Sequence, residues 1–91
     1  MNIVILDSEE FSSIDELHMV LKAKLQLPEY YGKNLDALWD CLTGWIDLPM
    51  TIEWIGYEKS KKKIGEYAEK LLKLFKEAEQ EVDGFIFKLR C

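Results

Sequence analysis

The residues with the most chemical potential lie between positions 29 and 45, where "EYYGKNLDALWDCLTGW" combines two tyrosines, two tryptophans and two aspartates. Asp36 and Asp40 are four residues apart, so on a helix their carboxylates are neighbours on one face. Neighbouring carboxylates suit three kinds of chemistry: general acid–base catalysis, ligation of a cation, or recognition of a positively charged partner.

The first two kinds of chemistry fit this pair poorly. Catalytic carboxylate pairs act from opposite walls of a cleft, whereas Asp36 and Asp40 project from one convex helix face toward water. No His or Ser lies nearby, and Cys41 is expected on the buried face of the helix, so no pair of nucleophile and base is present. Two acids also supply too few ligands for a metal ion. We therefore expect no enzyme activity, no metal and no cofactor, and keep a small hydrolase using Asp36 and Asp40 only as a test case.

Recognition of a partner explains the pair better. Like charges at this spacing destabilise a helix by a few tenths of a kcal/mol, roughly. Asp36 recovers part of this near the helix N-terminus, but Asp40 lies a turn further in, so folding does not explain it. Tyr30 and Tyr31 offer large contact area with few rotatable bonds, as binding surfaces do. The alternative is that both tyrosines and Trp39 are core residues and the aspartates only solvate; for Tyr31 alone we favour the core.

A helix that positions these residues is predicted from Asn34, as N-cap, through Thr43, with Gly44 as its C-terminal stop. At about 100° per residue, five residues share the face expected to be buried: Leu35, Leu38, Cys41, Leu42 and Trp45. The opposite face carries Asp36, Asp40 and Thr43, with Trp39 on its flank.

The other elements are predicted from hydrophobic periodicity and from Gly, Pro and capping residues. Strands are predicted at 2–6, 50–55 and 85–89. A helix is predicted at 14–25, capped by Ser13 with Glu16 as its capping-box partner and ended by Pro28. A polar helical turn or loop follows at 57–63, and an amphipathic helix runs from Ile64 to Asp83-Gly84. Helical crossovers between strands indicate an α/β fold, a small three-stranded parallel sheet packed with about four helices on one face. Residues 1–91 are expected to form one domain.

Besides the aspartates, one histidine and two cysteines carry side chains that are able to react or to ligate a metal. His18 adjoins the apolar stripe of the first helix without a second ligand nearby, so we expect a packed histidine. Cys41 and Cys91 are expected to be free thiols, because two cysteines make no disulfide framework or zinc site. The start of the chain has no basic leader and no cleavage site, and no stretch is apolar enough to span a membrane, which predicts a cytoplasmic protein.

The net charge of −5 is unevenly distributed along the chain. Residues 1–58 carry eleven acids and three lysines, whereas residues 59–91 carry six acids and nine Lys or Arg. The acidic part repels nucleic acid, and no strand is followed by a Gly-rich phosphate-binding loop. A cationic protein is the natural partner, although solubility alone would also explain the charge.

The segment "LPEYYGKNLDALWDCLTGW" resembles the core motif of the barstar family, and the likeness continues through "LPMTIEW" and weakly through "LFKEAEQE". Barstar-like proteins inhibit secreted bacterial ribonucleases of the barnase type inside the producing cell, and they have a three-stranded parallel sheet with helices. The resemblance thus implies a ribonuclease inhibitor that lays its acidic helix and the preceding loop over a cationic active site, as a free monomer that forms a 1:1 complex.

The resemblance also implies roles for individual residues. Asp40 would enter the phosphate-binding site of the ribonuclease, Asp36 would pair with a basic group at the edge of the cleft, and Tyr30 would pack on the catalytic histidine. Glu77 matches an outlying acidic contact. The remaining contact residues would be Gly32, Asn34, Leu35, Trp39, Thr43, Gly44 and Trp45, with Trp45 serving mainly the core.

The sequence departs from the family pattern at two positions. Lys33 stands where an acidic residue is expected, which weakens the negative field beside Asp36. Leu48 stands where an aromatic residue is expected before Pro49, and the family has a cis proline at this turn. The alternative function is therefore an acidic binding module of the same fold that recognises a different basic toxin or protein.

Overall fold

A computed structural model describes residues 2–90 of the chain. Its elements are β1 (Asn2–Asp7), a short 3-10 helix (Ser8–Glu10), α1 (Ile14–Leu25), α2 (Leu35–Gly44), β2 (Met50–Ile55), α3 (Tyr57–Ile64), α4 (Glu66–Glu81) and β3 (Phe85–Arg90). The α/β class with three strands and four α-helices is thereby confirmed. None of the helices among these residues is both long and apolar enough to cross a bilayer.

The three strands form one parallel sheet in the order β1-β2-β3. Because side chains alternate between the faces of a strand, each strand sends one set of residues toward the helices. Leu6, Ile52 and Trp54 are fully buried on that face, whereas Ile3 and Ile86 on the opposite face are exposed. The helices thus gather on one face of the sheet, as the sequence predicts.

Helix α1 begins and ends at the predicted residues. The Ser13 hydroxyl accepts a hydrogen bond from the Glu16 backbone N–H at 3.1 Å, as an N-cap does. The predicted capping box is only half present, because the Glu16 carboxylate accepts from the backbone N–H of Ser12 rather than from that of Ser13. Ile14, which belongs to the apolar stripe in the sequence, is 40% exposed since it lies in the first turn.

The second half of the chain differs from the prediction at the boundary between α3 and α4. Gly65 has a φ of 61°, a conformation that glycine adopts without strain, and it separates the two helices. The polar segment that follows Gly56 is therefore a complete helix, α3, and the long amphipathic helix starts at Glu66 rather than at Ile64.

Two covalent features bear on the earlier predictions. The Leu48–Pro49 peptide bond, whose isomer the sequence leaves open, is cis. Cys41 is a buried free thiol, as expected, whereas Cys91 lies outside the described residues.

Candidate functional site

The loop before α2 is held by hydrogen bonds from the capping residue. The Asn34 Oδ1 accepts from the backbone N–H of Ala37 at 2.8 Å, and its Nδ2 donates to the carbonyl of Gly32 at 3.3 Å. A Cβ at Gly32 would lie 3.3 Å from the Ala37 Cβ, so a side chain there would require the loop and the helix to move apart by a few tenths of an ångström. Lys33 has a φ of 54°, in the left-handed region, and its side chain is exposed. Asn34 thus orients both the loop and α2.

The two tyrosines of this loop point in opposite directions. Tyr30 is 81% exposed, whereas Tyr31 is 6% exposed. The Tyr31 hydroxyl lies 2.6 Å from Nδ1 of His18, and Nε2 of His18 lies 2.6 Å from the Tyr67 hydroxyl. This network joins the loop to α1 and α4, and Tyr30 projects from the anchored loop into solvent.

The buried network is electrically neutral. Burial lowers the pKa of His18, with a smaller opposing effect from Asp15, and burial raises the pKa of Tyr31. A neutral imidazole donates through one ring nitrogen and accepts through the other, so both of its hydrogen bonds are satisfied. His18 is therefore the packed histidine that the sequence predicts, and Tyr31 is a core residue.

Helix α2 presents a buried face and a charged face. Leu38, Cys41 and Leu42 are buried, and burial raises the pKa of the Cys41 thiol. Asp36 and Asp40 lie on the exposed side. Within residues 2–90, no Lys or Arg lies at ion-pair distance from either carboxylate. We call Tyr30, Asp36 and Asp40 the acidic face.

The end of α2 corrects one prediction. Trp45 is 49% exposed rather than buried, and its indole N–H donates to the carbonyl of Gln26 at 3.0 Å. Gly44 is the last residue of the helix rather than a stop after it. A Cβ at Gly44 would meet no atom within 4 Å, so nothing in the fold requires glycine there. The Thr43 hydroxyl donates to the carbonyl of Trp39 at 2.9 Å.

Glu77 comes from α4, yet it lies beside the acidic face. It lines a groove of about 310 Å³ together with Leu35, Asp36, Trp39, Lys70, Lys73 and Leu74. Leu35 and Trp39 are half-buried, so both present part of their surface to this groove. The Glu77 carboxylate lies 4.0 Å from the Lys73 ammonium.

Lys70 and Lys73 share this groove, and neither was among the residues predicted for the site. Residues three and four apart lie on one face of a helix, and positions 70, 73 and 77 follow that spacing. Because Glu77 was predicted to contact the partner, its helix spacing to Lys70 and Lys73 would have identified these two lysines as neighbours of the site.

Exposed carboxylates such as those of Asp36 and Asp40 can accept charge-assisted hydrogen bonds, and the exposed aromatic ring of Tyr30 offers contact area. Within the described part of the chain, no three His, Cys, Asp or Glu side chains converge as metal ligands do.

Comparisons with known proteins identify the family of this chain. The sequence model of the family described as "Barstar (barnase inhibitor)" matches residues 1–91. The chain is 49% identical over 82 residues to a Bacillus subtilis (strain 168) protein named "Putative ribonuclease inhibitor YrdF", a match that covers 90% of each chain. This chain therefore belongs to the barstar family.

Proposed function

We propose that this protein inhibits a secreted ribonuclease of the barnase type by occupying its cationic active site with the acidic face. The observation that carries the proposal is the pair of exposed carboxylates at Asp36 and Asp40 on a capped helix, neither of which forms an ion pair within residues 2–90. Family membership and the printed name of the Bacillus subtilis relative support a role as a ribonuclease inhibitor.

Each residue of the acidic face has a distinct task in the complex. Asp40, near the middle of the exposed side of α2, accepts hydrogen bonds from the cationic groups that normally hold an RNA phosphate. Asp36 pairs with a basic group at the edge of the cleft. Tyr30 is 81% exposed and packs on the catalytic histidine of the ribonuclease.

The surrounding residues shape the contact. Trp39 and Leu35 contribute half-buried apolar surface, and Thr43, Gly44 and Trp45 form the exposed end of α2. Asn34 and Gly32 hold the loop, and Glu77 extends the acidic surface onto α4. Because Gly44 has no side chain, the partner backbone approaches α2 closely there.

The inhibitor acts by steric and electrostatic occlusion. It needs no cofactor, catalyses no reaction, acts as a single domain of residues 1–91, and forms a 1:1 complex in the cytoplasm of the cell that makes the ribonuclease. Electrostatic attraction between the acidic face and the cationic cleft accelerates association.

One observation favours a second candidate, a different basic toxin or protein as the partner. The exposed Lys33 places a positive charge in the loop beside Asp36. A partner with a strongly cationic rim meets repulsion there, which favours a cleft whose rim differs from that of typical barnase-type enzymes.

The test is a titration of a barnase-type ribonuclease with the wild-type protein and with Asp40→Ala, at low and at moderate salt. We expect the wild type to abolish RNA cleavage at about one equivalent. Loss of about two charge-assisted hydrogen bonds, at roughly 1.5–3 kcal/mol each, weakens Asp40→Ala at least a hundredfold. Full ribonuclease activity in a large excess of folded wild type would contradict this target and favour the second candidate.

A further inference from the structure

The groove between α2 and α4 carries charges of both signs. Asp36 and Glu77 contribute carboxylates, whereas Lys70 and Lys73 contribute ammonium groups. Resting on the proposed function, we propose that this groove is a specificity subsite, in which Lys70 and Lys73 receive an acidic side chain from the rim of the ribonuclease's cleft.

Both lysines are available to a partner. Lys70 is exposed and forms no ion pair with any residue that the structure describes. The Lys73 side chain is 79% exposed, and its distance of 4.0 Å from Glu77 is at the outer limit of an ion pair. An exposed ion pair on one helix at this spacing is weak, so a better acceptor readily replaces Glu77.

The floor of the groove strengthens a charge contact made there. Leu74 is buried, and Leu35 and Trp39 are half-buried, so the lysines lie beside partly apolar surface. A partner carboxylate that enters the groove displaces water from this floor, and the interaction between charges grows as the local dielectric constant falls. The volume of about 310 Å³ is sufficient for one such side chain.

The surface charge changes from negative on the acidic face to positive at Lys70 and Lys73, and this change selects among partners. The acidic face attracts the cationic cleft of any such ribonuclease, whereas the lysines favour an enzyme with a carboxylate at the matching place on its rim. An enzyme with a basic residue there meets like-charge repulsion at a close interface and binds less tightly. Attraction and rejection together define which ribonuclease is inhibited.

The simplest alternative is that Lys70 and Lys73 only shield the nearby carboxylates. The two readings predict opposite signs for one variant, Lys70→Gln/Lys73→Gln. If the lysines only shield, their removal exposes Asp36 and Glu77 and tightens binding to a cationic partner. If they receive an acidic side chain, their removal weakens binding although the protein has become more acidic.

The matched control is Lys61→Gln/Lys62→Gln. Both residues lie on α3, are exposed, and form no ion pair within residues 2–90. Each double variant changes the net charge from −5 to −7. We would measure the Kd for a barnase-type ribonuclease by titration calorimetry, with circular dichroism to verify that each variant is folded and Asp40→Ala run in parallel.

We expect Lys70→Gln/Lys73→Gln to raise the Kd at least about fivefold, whereas the control leaves it unchanged or lowers it. Equal or tighter binding by both double variants, with Asp40→Ala still defective, would overturn the subsite and leave the proposed function intact. Wild-type binding that is absent, or that Asp40→Ala does not weaken, would overturn both.

Discussion

Two sets of acidic residues on this molecule differ in whether they form ion pairs within the chain. One set bonds within the chain: the Glu53 carboxylate lies 2.6 Å from the guanidinium of Arg90, and the Glu10 carboxylate lies 2.5 Å from the ammonium of Lys24. The other set, Asp36 and Asp40, has no cation at ion-pair distance within residues 2–90.

The tyrosines show the same division within one dipeptide. Tyr31 is bonded to His18 inside the core, whereas Tyr30 is exposed beside α2. Groups that bond within the chain contribute to stability, and their charges are neutralised locally. Groups that are left free contribute little to stability and retain their attraction for a partner. The comparison therefore separates residues that hold the fold from residues that we propose to bind.

The two tyrosines are expected to support different properties of the protein, Tyr31 its stability and Tyr30 its binding. Tyr31→Phe leaves a buried nitrogen of His18 without its partner, which lowers the free energy of unfolding by about 1–3 kcal/mol in urea titrations.

Tyr30→Ala leaves stability unchanged but weakens ribonuclease inhibition at least about fivefold, since exposed aromatic anchors contribute more than ~1 kcal/mol to an interface. Unchanged inhibition by Tyr30→Ala would break the comparison.

Acidification should weaken the fold through His18. Burial lowers its pKa in the folded protein below the ordinary value of 6.5, so the unfolded chain takes up a proton first. The contribution of His18 to stability is complete above pH 6.5. It is lost as the pH falls from 6.5 toward the lowered pKa of the folded state, by at most about 1.4 kcal/mol per pH unit. Urea unfolding between pH 7.5 and 5.5 measures the slope, and His18→Gln should make it shallower. An identical slope in His18→Gln would exclude this residue as the cause.

Gly44→Ala should raise the stability of the protein and weaken its inhibition of the ribonuclease. Since a Cβ at this position meets no atom within 4 Å, the added methyl group causes no clash in the free protein. Alanine in place of glycine in a helix raises the free energy of unfolding by about 0.5–1 kcal/mol. The same methyl group obstructs the close approach of the ribonuclease, so we expect weaker inhibition. A variant that is more stable and inhibits as well as the wild type would place Gly44 outside the interface.

The smallest effects concern one acid from each set, changed to its amide. Glu53→Gln loses an ion pair and lowers the free energy of unfolding by up to about 1 kcal/mol. Asp40→Asn removes repulsion from Asp36 and raises the free energy of unfolding by a few tenths of a kcal/mol, roughly. Thermal unfolding of both variants in low salt shows whether each substitution stabilises or destabilises the protein. A loss of stability in Asp40→Asn would mean that this carboxylate also serves the fold.

The fold follows closely from local signals in the sequence. The caps at Ser13 and Asn34 and the alternation at 50–55 depend on neighbouring residues, which sequence patterns report well. The boundary at Gly65 was missed because glycine within a helical pattern permits either continuation or a break, and its φ of 61° decides.

The site was predicted less completely, because part of it depends on contacts between distant segments. Trp45 has the spacing of a buried residue, but its indole reaches the carbonyl of Gln26 at the end of α1 and stays half exposed. Lys70 and Lys73 border the acidic face only because α4 packs beside α2. Helical periodicity gives the face of one helix and not the neighbour that it meets.

The most direct test of the central claim compares the two sets of acids at equal net charge. Asp36→Asn/Asp40→Asn and Glu9→Gln/Glu10→Gln each change the net charge from −5 to −3. The inhibition constant of each for a barnase-type ribonuclease would be measured at low and moderate salt. We expect a loss of about a thousandfold or more for the first variant, and at most a few-fold change for the second, since Glu9 and Glu10 are already paired with Lys59 and Lys24. Equal losses for both variants would show that only total charge matters and would contradict the account.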